Sequence, residues 1–175
     1  MAVTKEDLVF GVISVLNNGG MDALTVDALA AHHKMSKSTL YKYYDSLQDL
    51  VYETVEYICE KSATDMENIN TSEGAEATFR SVASVYAQYA TRAPAAFLTE
   101  HYKLNPRTKL RLENMENRMG ERMFRAALGL GASSSVAYAI RSSFEGMVRF
   151  TAKISEDKTE RFNQLTDMIV RGLRN

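Results

Sequence analysis

Apolar side chains recur at every third or fourth position along most of the chain, and no segment alternates as a β-strand would. The first helical face follows Thr4 and Asp7, which have the spacing of a capping box at a helix start. This helix is predicted to end in the Asn- and Gly-rich run at residues 17–20. Two short helices follow, and we expect Thr25 and Ser36 to cap them.

Longer helical patterns occupy the rest of the chain. Ser46 and Asp49 mark the start of a helix that is predicted to run toward Asn70. Glycine or proline separates most of the further helices, which are predicted at about residues 75–91, 95–102, 107–128, 133–154 and 159–173. The sequence therefore predicts an all-α protein of about nine helices, with an N-terminal three-helix helix-turn-helix domain at residues 1–45 and a helical bundle at residues 46–175.

The second short helix has two opposed faces. Leu40 and Tyr44 share the apolar face, and the opposite face is polar, with Lys37, Ser38, Tyr41 and Lys42. A helix-turn-helix motif needs this arrangement, because its apolar side packs on a partner helix and its donors reach the major groove of DNA. The alternative is that both short helices belong to the core of an all-α protein, where such a polar face without an acid would be unusual.

The charge distribution favours nucleic-acid binding in this segment, although the whole chain has a formal net charge of −1. Between Asp27 and Asp45 the sequence has no acidic residue, whereas three lysines and two histidines fall there. Contact with DNA phosphates requires positive charge of this local kind.

The same segment closely resembles the DNA-binding domain of the TetR family of bacterial transcriptional regulators, over roughly residues 5–51. The residues that carry the resemblance are Leu29-Ala30, Ser36 and Thr39-Leu40-Tyr41-Lys42-Tyr43-Tyr44. Two positions depart from the family pattern. Lys34 stands in the turn where the family has glycine, so a residue with a Cβ is expected in a left-handed conformation. Leu47 stands where the family often has a phosphate-contacting lysine, and that contact is not carried over.

The resemblance and the polar face together predict a set of DNA-contacting residues, with Tyr41 and Tyr43 as groove and backbone contacts and Met35, Leu40 and Tyr44 as motif core. The full set is Thr25, Lys34, Ser36, Lys37, Ser38, Thr39, Tyr41, Lys42 and Tyr43. The resemblance implies a repressor that binds a palindromic double-stranded DNA operator as a homodimer. It also implies a small-molecule effector that shifts the population between two spacings of the recognition helices.

The middle helices carry Met and aromatic stripes that either fill the core or line an effector cavity. Met adapts to irregular cavities, and tyrosine and histidine supply polar tips on apolar walls. We expect a mostly apolar effector, unless Arg141 and Glu145 turn inward. The candidate lining is Phe79, Tyr86, Tyr89, Phe97, His101, Met115, Met119, Met123, Phe144 and Met147.

The last two predicted helices have apolar arcs wider than one intramolecular contact needs. A two-fold pair of chains could bury the excess in a four-helix interface. Phe162 and Ile169 are the positions at which a charge is expected to disrupt this dimer.

Other function classes have little support. No stretch has the length and apolarity of a membrane span, and the single cysteine, Cys59, suits a reducing compartment, so the cytoplasm is expected. No nucleophile elbow, phosphate-binding glycine loop or metal motif is present in the sequence, so we expect no enzymatic activity, cofactor or metal. His32 and His33 are expected at a helix end, where the helix dipole favours them. The alternatives are an effector-independent DNA-binding protein that works through a protein partner, and a helical small-molecule-binding module or enzyme.

Overall fold

The computed structural model describes residues 3–100, 103–152 and 157–174. Within those ranges the chain forms nine helices and no strand, so the predicted all-α class is confirmed. No helix in the described ranges is both long and apolar enough to cross a lipid bilayer. The helices are α1 Lys5–Ala23, α2 Val26–His32, α3 Lys37–Leu40, α4 Leu47–Glu67, α5 Ala75–Arg92, α6 Ala95–Thr99, α7 Pro106–Gly129, α8 Ser134–Thr151 and α9 Lys158–Arg174.

Side-chain caps set the starts of the first helices, as the sequence predicts. The Thr4 hydroxyl accepts the backbone N–H of Asp7, and the Asp7 carboxylate accepts the N–H of Thr4, which completes a capping box. The hydroxyls of Thr25 and Ser36 cap α2 and α3 in the same way, each accepting an N–H three residues on at 3.1 Å.

The predicted end of the first helix at residues 17–20 coincides with a kink at Gly20, and α1 continues beyond it. Gly20 has φ 70° and ψ −168°, a conformation outside the helical region, yet the helix resumes after it and reaches Ala23. Glycine has no Cβ to clash at positive φ, so it kinks the helix here without ending it.

The chain packs as two units. The first runs to Cys59 and includes Ala93–Leu112. Within it α1 packs against α2 and α6, and α2 packs against α3. Its core is made of fully buried aliphatic side chains, among them Leu8, Val12, Leu16, Leu29 and Leu50.

The second unit consists of Glu60–Arg92 and the chain from Glu113 onward. Helix α5 packs against both α8 and α9. The ring of Phe144 on α8 lies at the centre of its core, 6.1 Å from Phe79, 5.4 Å from Tyr86 and 5.9 Å from Phe162 between ring centroids. Aromatic side chains therefore join the three helices.

Large apolar side chains also remain on the surface of α8 and α9. Val136, Tyr138 and Phe150 of α8 and Met168 of α9 are between 41% and 65% exposed. Phe162, by contrast, is 1% exposed, because it packs inside its own chain. Phe162 is therefore a core residue, and the expectation that a charge there would test a dimer surface is wrong.

Candidate functional site

Helix α3 presents the polar face that the sequence predicts. Its regular part is one turn long, and the chain continues through further turns to Tyr43. Leu40 and Tyr44 are buried at 4% and 7% exposure and anchor the segment to the first unit. The opposite side is open to solvent at Lys37, Ser38, Tyr41 and Lys42. A short helix can hold such a face outward only because its apolar side is fixed in a core.

Three hydroxyls are organised at the start of α3. The Ser36 Oγ accepts the backbone N–H of Thr39, and it lies 2.8 Å from the hydroxyl oxygens of both Ser38 and Thr39. Serine at this position satisfies a backbone donor that the helix leaves unpaired. The hydroxyls are thus held together at the solvent-facing start of the helix.

Lys34 has φ 52°, the left-handed conformation that the resemblance to the TetR family implies for this turn. The turn closes α2 as a Schellman motif, in which the N–H of Met35 bonds to the Ala30 carbonyl and the N–H of Lys34 bonds to that of Ala31. This motif needs one residue at positive φ, and a Cβ there is strained. The lysine places a positive charge beside α3, and its backbone is strained there.

Two predicted contact residues have partners inside the protein. The Lys37 ammonium lies 2.7 Å from the Asp27 carboxylate, whose hydrogen bond raises the pKa of Lys37. The Tyr43 hydroxyl donates to the Val3 carbonyl at 2.9 Å. Because Asp27 stands at the edge of the segment that lacks acids, the sequence could not show that folding brings it to Lys37. Operator contact by either side chain would have to share or replace these bonds.

His33 lies behind the motif, against a glycine that sequence reasoning missed. A Cβ added at Gly11 of α1 would lie 2.0 Å from the His33 Nε2, so only glycine leaves room for this ring. Burial lowers the pKa of His33, and the nearby His32 adds to this effect, while Asp7 opposes it. His32 ends α2 and His33 caps it, as expected of residues at a helix end.

The arginines of α7 lie on a solvated surface with local partners. Arg125 pairs with Glu121 at 2.8 Å, Arg111 pairs with Glu56, and the Arg107 guanidinium lies 4.8 Å from the centre of the Tyr52 ring. These contacts fit a neutralised helix face better than a second phosphate-binding surface.

A cavity of about 220 Å³ lies in the second unit. Residues of α5, α7 and α8 form its wall, and more than half of them are polar or charged. The lining is Tyr86, Tyr89, Glu113, Glu116, Asn117, Met119, Arg141, Glu145, Val148 and Arg149.

Three of the ten predicted effector contacts line this cavity, namely Tyr86, Tyr89 and Met119. The others do not line it. Phe97 belongs to the first unit, Met147 is half-exposed outside the lining, and His101 lies outside the described residues. The remaining four are packed as core residues, namely Phe79, Met115, Met123 and Phe144.

The cavity has a charged lining, which the sequence did not predict. Arg141 Nε lies 2.7 Å from Glu145 Oε1, and Arg149 lies 3.2 Å from Glu116 Oε2. The Tyr89 hydroxyl donates to Glu116 at 2.9 Å. Arg141 and Glu145 do turn inward, so the expectation of a mostly apolar effector does not hold for this lining.

Comparison with known proteins identifies the N-terminal segment. The model of the family described as "Bacterial regulatory proteins, tetR family" matches residues 13–54, which include α2, α3 and the start of α4. A search of curated protein sequences finds no significant match.

Solved structures similar to this chain share its fold along nearly its full length. The regulator PfmR from Thermus thermophilus has a TM-score of 0.74 at 17% identity, covering 98% of this chain and 97% of its own. A TetR transcriptional regulator from Legionella pneumophila has a TM-score of 0.73 at 13% identity, covering 98% of both chains. AibR, solved with isovaleryl coenzyme A and operator DNA, has a TM-score of 0.69 at 17% identity, covering 95% of both.

Proposed function

We propose that the chain is a ligand-responsive repressor of the TetR family that binds a palindromic operator as a homodimer, and the match of the tetR family model to residues 13–54 supports this proposal. Residues 1–45 are the DNA-binding domain in this proposal, and residues 46–175 bind the effector and dimerise. The protein works in the cytoplasm, where its operator is found.

The exposed polar face of α3 carries this proposal. Lys42 and Tyr41 reach solvent from a segment whose other side is anchored by Leu40 and Tyr44. Helices of this kind enter the major groove and read base edges there, and neighbouring lysines bind phosphates. Lys34 and Ser38 extend the same face toward the DNA backbone.

A dimer is supported by the apolar surface of the last two helices. On α8, Val136 and Phe150 are two heptads apart, with half-exposed Met147 between them, and on α9 Met168 lies beside half-exposed Ile169. A second copy related by a two-fold axis would cover both surfaces in a four-helix arrangement. A dimer would present two recognition segments to the two half-sites of a palindrome.

Ligand response is supported by the cavity in the second unit and by the neighbour AibR, which was solved with both a coenzyme A ester and operator DNA. A ligand changes operator affinity only if it binds the two conformations unequally. The cavity is bounded by α5, α7 and α8, so a ligand there could favour one arrangement of these helices.

Selection from a random pool of duplex DNA tests the proposal. The purified protein should enrich an inverted repeat whose half-sites are centred about 10–10.5 base pairs, or a multiple of that, apart. A Lys61→Ala variant, altered on α4 outside the motif, serves as the matched control and should select the same sequence. Recovery of no common sequence would contradict the proposal and leave the helical binding module as the better interpretation.

A further inference from the structure

We propose that Asp27 is a positioning residue that sets the DNA specificity of α3, because it holds Lys37 back from phosphates and leaves it to a base edge. This inference rests on the proposed function and adds a residue that acts on DNA through Lys37. Three features support it: the ion pair itself, the place of Lys37 in the recognition helix, and the contrast with the other two lysines of the segment.

The ion pair joins the two helices of the helix-turn-helix motif. Asp27 lies in the first turn of α2, and Lys37 is the first residue of α3. The Lys37 ammonium lies 2.7 Å from the Asp27 carboxylate, and the side chains are 56% and 73% exposed, respectively. Because both groups are open to solvent, the pair stabilises the fold little, and DNA phosphates can compete for the ammonium. The pair is therefore placed to affect DNA binding more than folding.

Lys37 occupies the part of a recognition helix that reads base edges. In helix-turn-helix motifs the N-terminal residues of this helix contact bases, and a lysine ammonium donates to the O6 and N7 atoms of guanine. The ammonium has three N–H donors, so it can keep one bond to Asp27 and still donate in the groove. A guanine edge has no net charge, whereas a phosphate at the same ammonium would be repelled by the carboxylate. The bond thus favours base readout by Lys37 over phosphate contact.

The other two lysines of the segment lack this restraint. Lys34 and Lys42 are exposed, and neither has an acidic partner among the residues that the structure describes. The sequence has no acid between Asp27 and Asp45 that could replace Asp27. Unrestrained lysines bind the phosphates of any sequence and supply non-specific affinity. Asp27 therefore separates one cation from those that bind DNA without regard to sequence.

Binding to two duplexes tests the proposal on the full-length protein. Fluorescence anisotropy would measure the affinity of the parent and of Asp27→Ala for the selected operator and for an unrelated duplex over a range of salt. Asp27→Ala should bind the unrelated duplex about two- to fivefold more tightly, the effect of removing one exposed competing ion pair, and gain less on the operator. Its salt slope on the unrelated duplex should steepen by up to about 0.9, the value of one added phosphate contact. An unchanged or larger ratio of operator to unrelated affinity would overturn the proposal.

A second change at Lys37 shows whether Asp27 acts through that lysine. In a Lys37→Ala background, Asp27→Ala should give a smaller gain on the unrelated duplex than it gives in the parent. An equal gain with and without Lys37 would overturn the proposal, because Asp27 would then act by its own charge alone. Asp27→Glu keeps the carboxylate and should retain most of the parental preference for the operator.

Glu121→Ala is the matched control, since it breaks an exposed pair of similar length, 2.8 Å to Arg125, on α7. This variant should bind both duplexes as the parent does. The melting temperatures of Asp27→Ala and Glu121→Ala should stay close to the parental value, so that changes in DNA affinity do not report unfolding. Equal discrimination by the parent and Asp27→Ala would refute this inference alone. A parent that binds neither duplex would refute the proposed function together with it.

Discussion

The recognition segment, residues 36–43, and the charged cavity place polar groups in opposite ways. In the recognition segment the apolar side chain of Leu40 points inward, and lysine, serine and tyrosine side chains face solvent. In the cavity, arginine and glutamate side chains line a partly exposed space within a helical unit and pair there. The first arrangement follows from burial of apolar surface alone. The second exists only because each charge finds a partner on folding.

The largest expected effect concerns the apolar surface of α8 and α9, through which two chains would form the proposed dimer. Met168→Glu places a charge on a side chain that is 65% exposed in one chain and buried in the proposed dimer. We expect a monomer in sedimentation and a loss of operator affinity of about 100-fold or more, since two linked half-sites bind with avidity. Leu110→Glu, on a similarly exposed apolar residue of α7, should remain dimeric. A dimeric Met168→Glu protein would contradict the assignment of α9 to the interface.

The second largest effect is expected where the His33 ring packs against Gly11 of α1. Gly11→Ala drives a Cβ into the His33 ring, and overpacking of this kind costs about 1–3 kcal/mol. Chemical denaturation should show this loss, and His33→Ala in the same chain should recover part of it because the clash is removed. Gly146→Ala is the matched control, since nothing lies within 4 Å of its added Cβ. Equal stability of Gly11→Ala and Gly146→Ala would mean that His33 does not pack on α1.

The contrast between the two regions explains what sequence patterns can predict. Periodicity and capping residues predicted the helix order and the caps at Thr25 and Ser36, because both depend on neighbours along the chain. The left-handed Lys34 was implied by the resemblance to the TetR family, which has glycine in that turn. The Lys37–Asp27 pair and the Tyr43–Val3 hydrogen bond depend on tertiary contacts, so no local pattern revealed them.

The cavity was harder to predict for the same reason. Apolar stripes identified the buried faces of α5, α7 and α8, but a stripe does not show where packing leaves a gap. Phe144 and Met123 fill the core, whereas Met119 lines the cavity. An i, i+4 pair such as Arg141 and Glu145 has the same spacing whether it faces solvent or the interior. Gly120 of α7 was the available signal, because a Cβ there would lie 2.5 Å from Arg141 Nε, but glycine within a helix does not identify its neighbour.

A smaller effect is expected at the turn before the recognition segment. Lys34→Gly removes the strain of a Cβ at φ 52°, which we expect to raise the free energy of unfolding by about 0.5–1 kcal/mol. The same change removes a positive charge, so operator affinity should fall and its salt dependence should flatten. Lys34→Asn provides a second neutral residue that tolerates this conformation. A variant that is more stable and binds DNA unchanged would show that Lys34 does not contact phosphate.

The smallest effect is the pH dependence that His33 contributes. Burial lowers its pKa in the folded protein below the ordinary value near 6.5, so the unfolded chain binds more protons in that range. The contribution of His33 to the free energy of unfolding is complete above about pH 6.5 and is lost as the pH falls through its lowered pKa. Denaturation between about pH 8 and pH 5 should therefore show a smaller loss of stability at acidic pH in His33→Gln than in the parent. His32→Gln should reduce that loss by less, because His32 adds only part of the effect on the pKa of His33. An identical loss of stability at acidic pH in the parent and in His33→Gln would contradict this assignment.

Comparing two neighbouring residues of the recognition segment tests the central claim most directly. Fluorescence anisotropy would measure the affinity of Tyr41→Ala and Lys42→Ala for the selected operator and for an unrelated duplex over a range of salt. Tyr41→Ala should cost about 1–3 kcal/mol on the operator and little on the unrelated DNA, as a base contact does. Lys42→Ala should weaken both duplexes equally and reduce the salt slope, as a phosphate contact does. Folded variants that bind both duplexes with parental affinity would contradict the assignment of this segment as the DNA-reading surface.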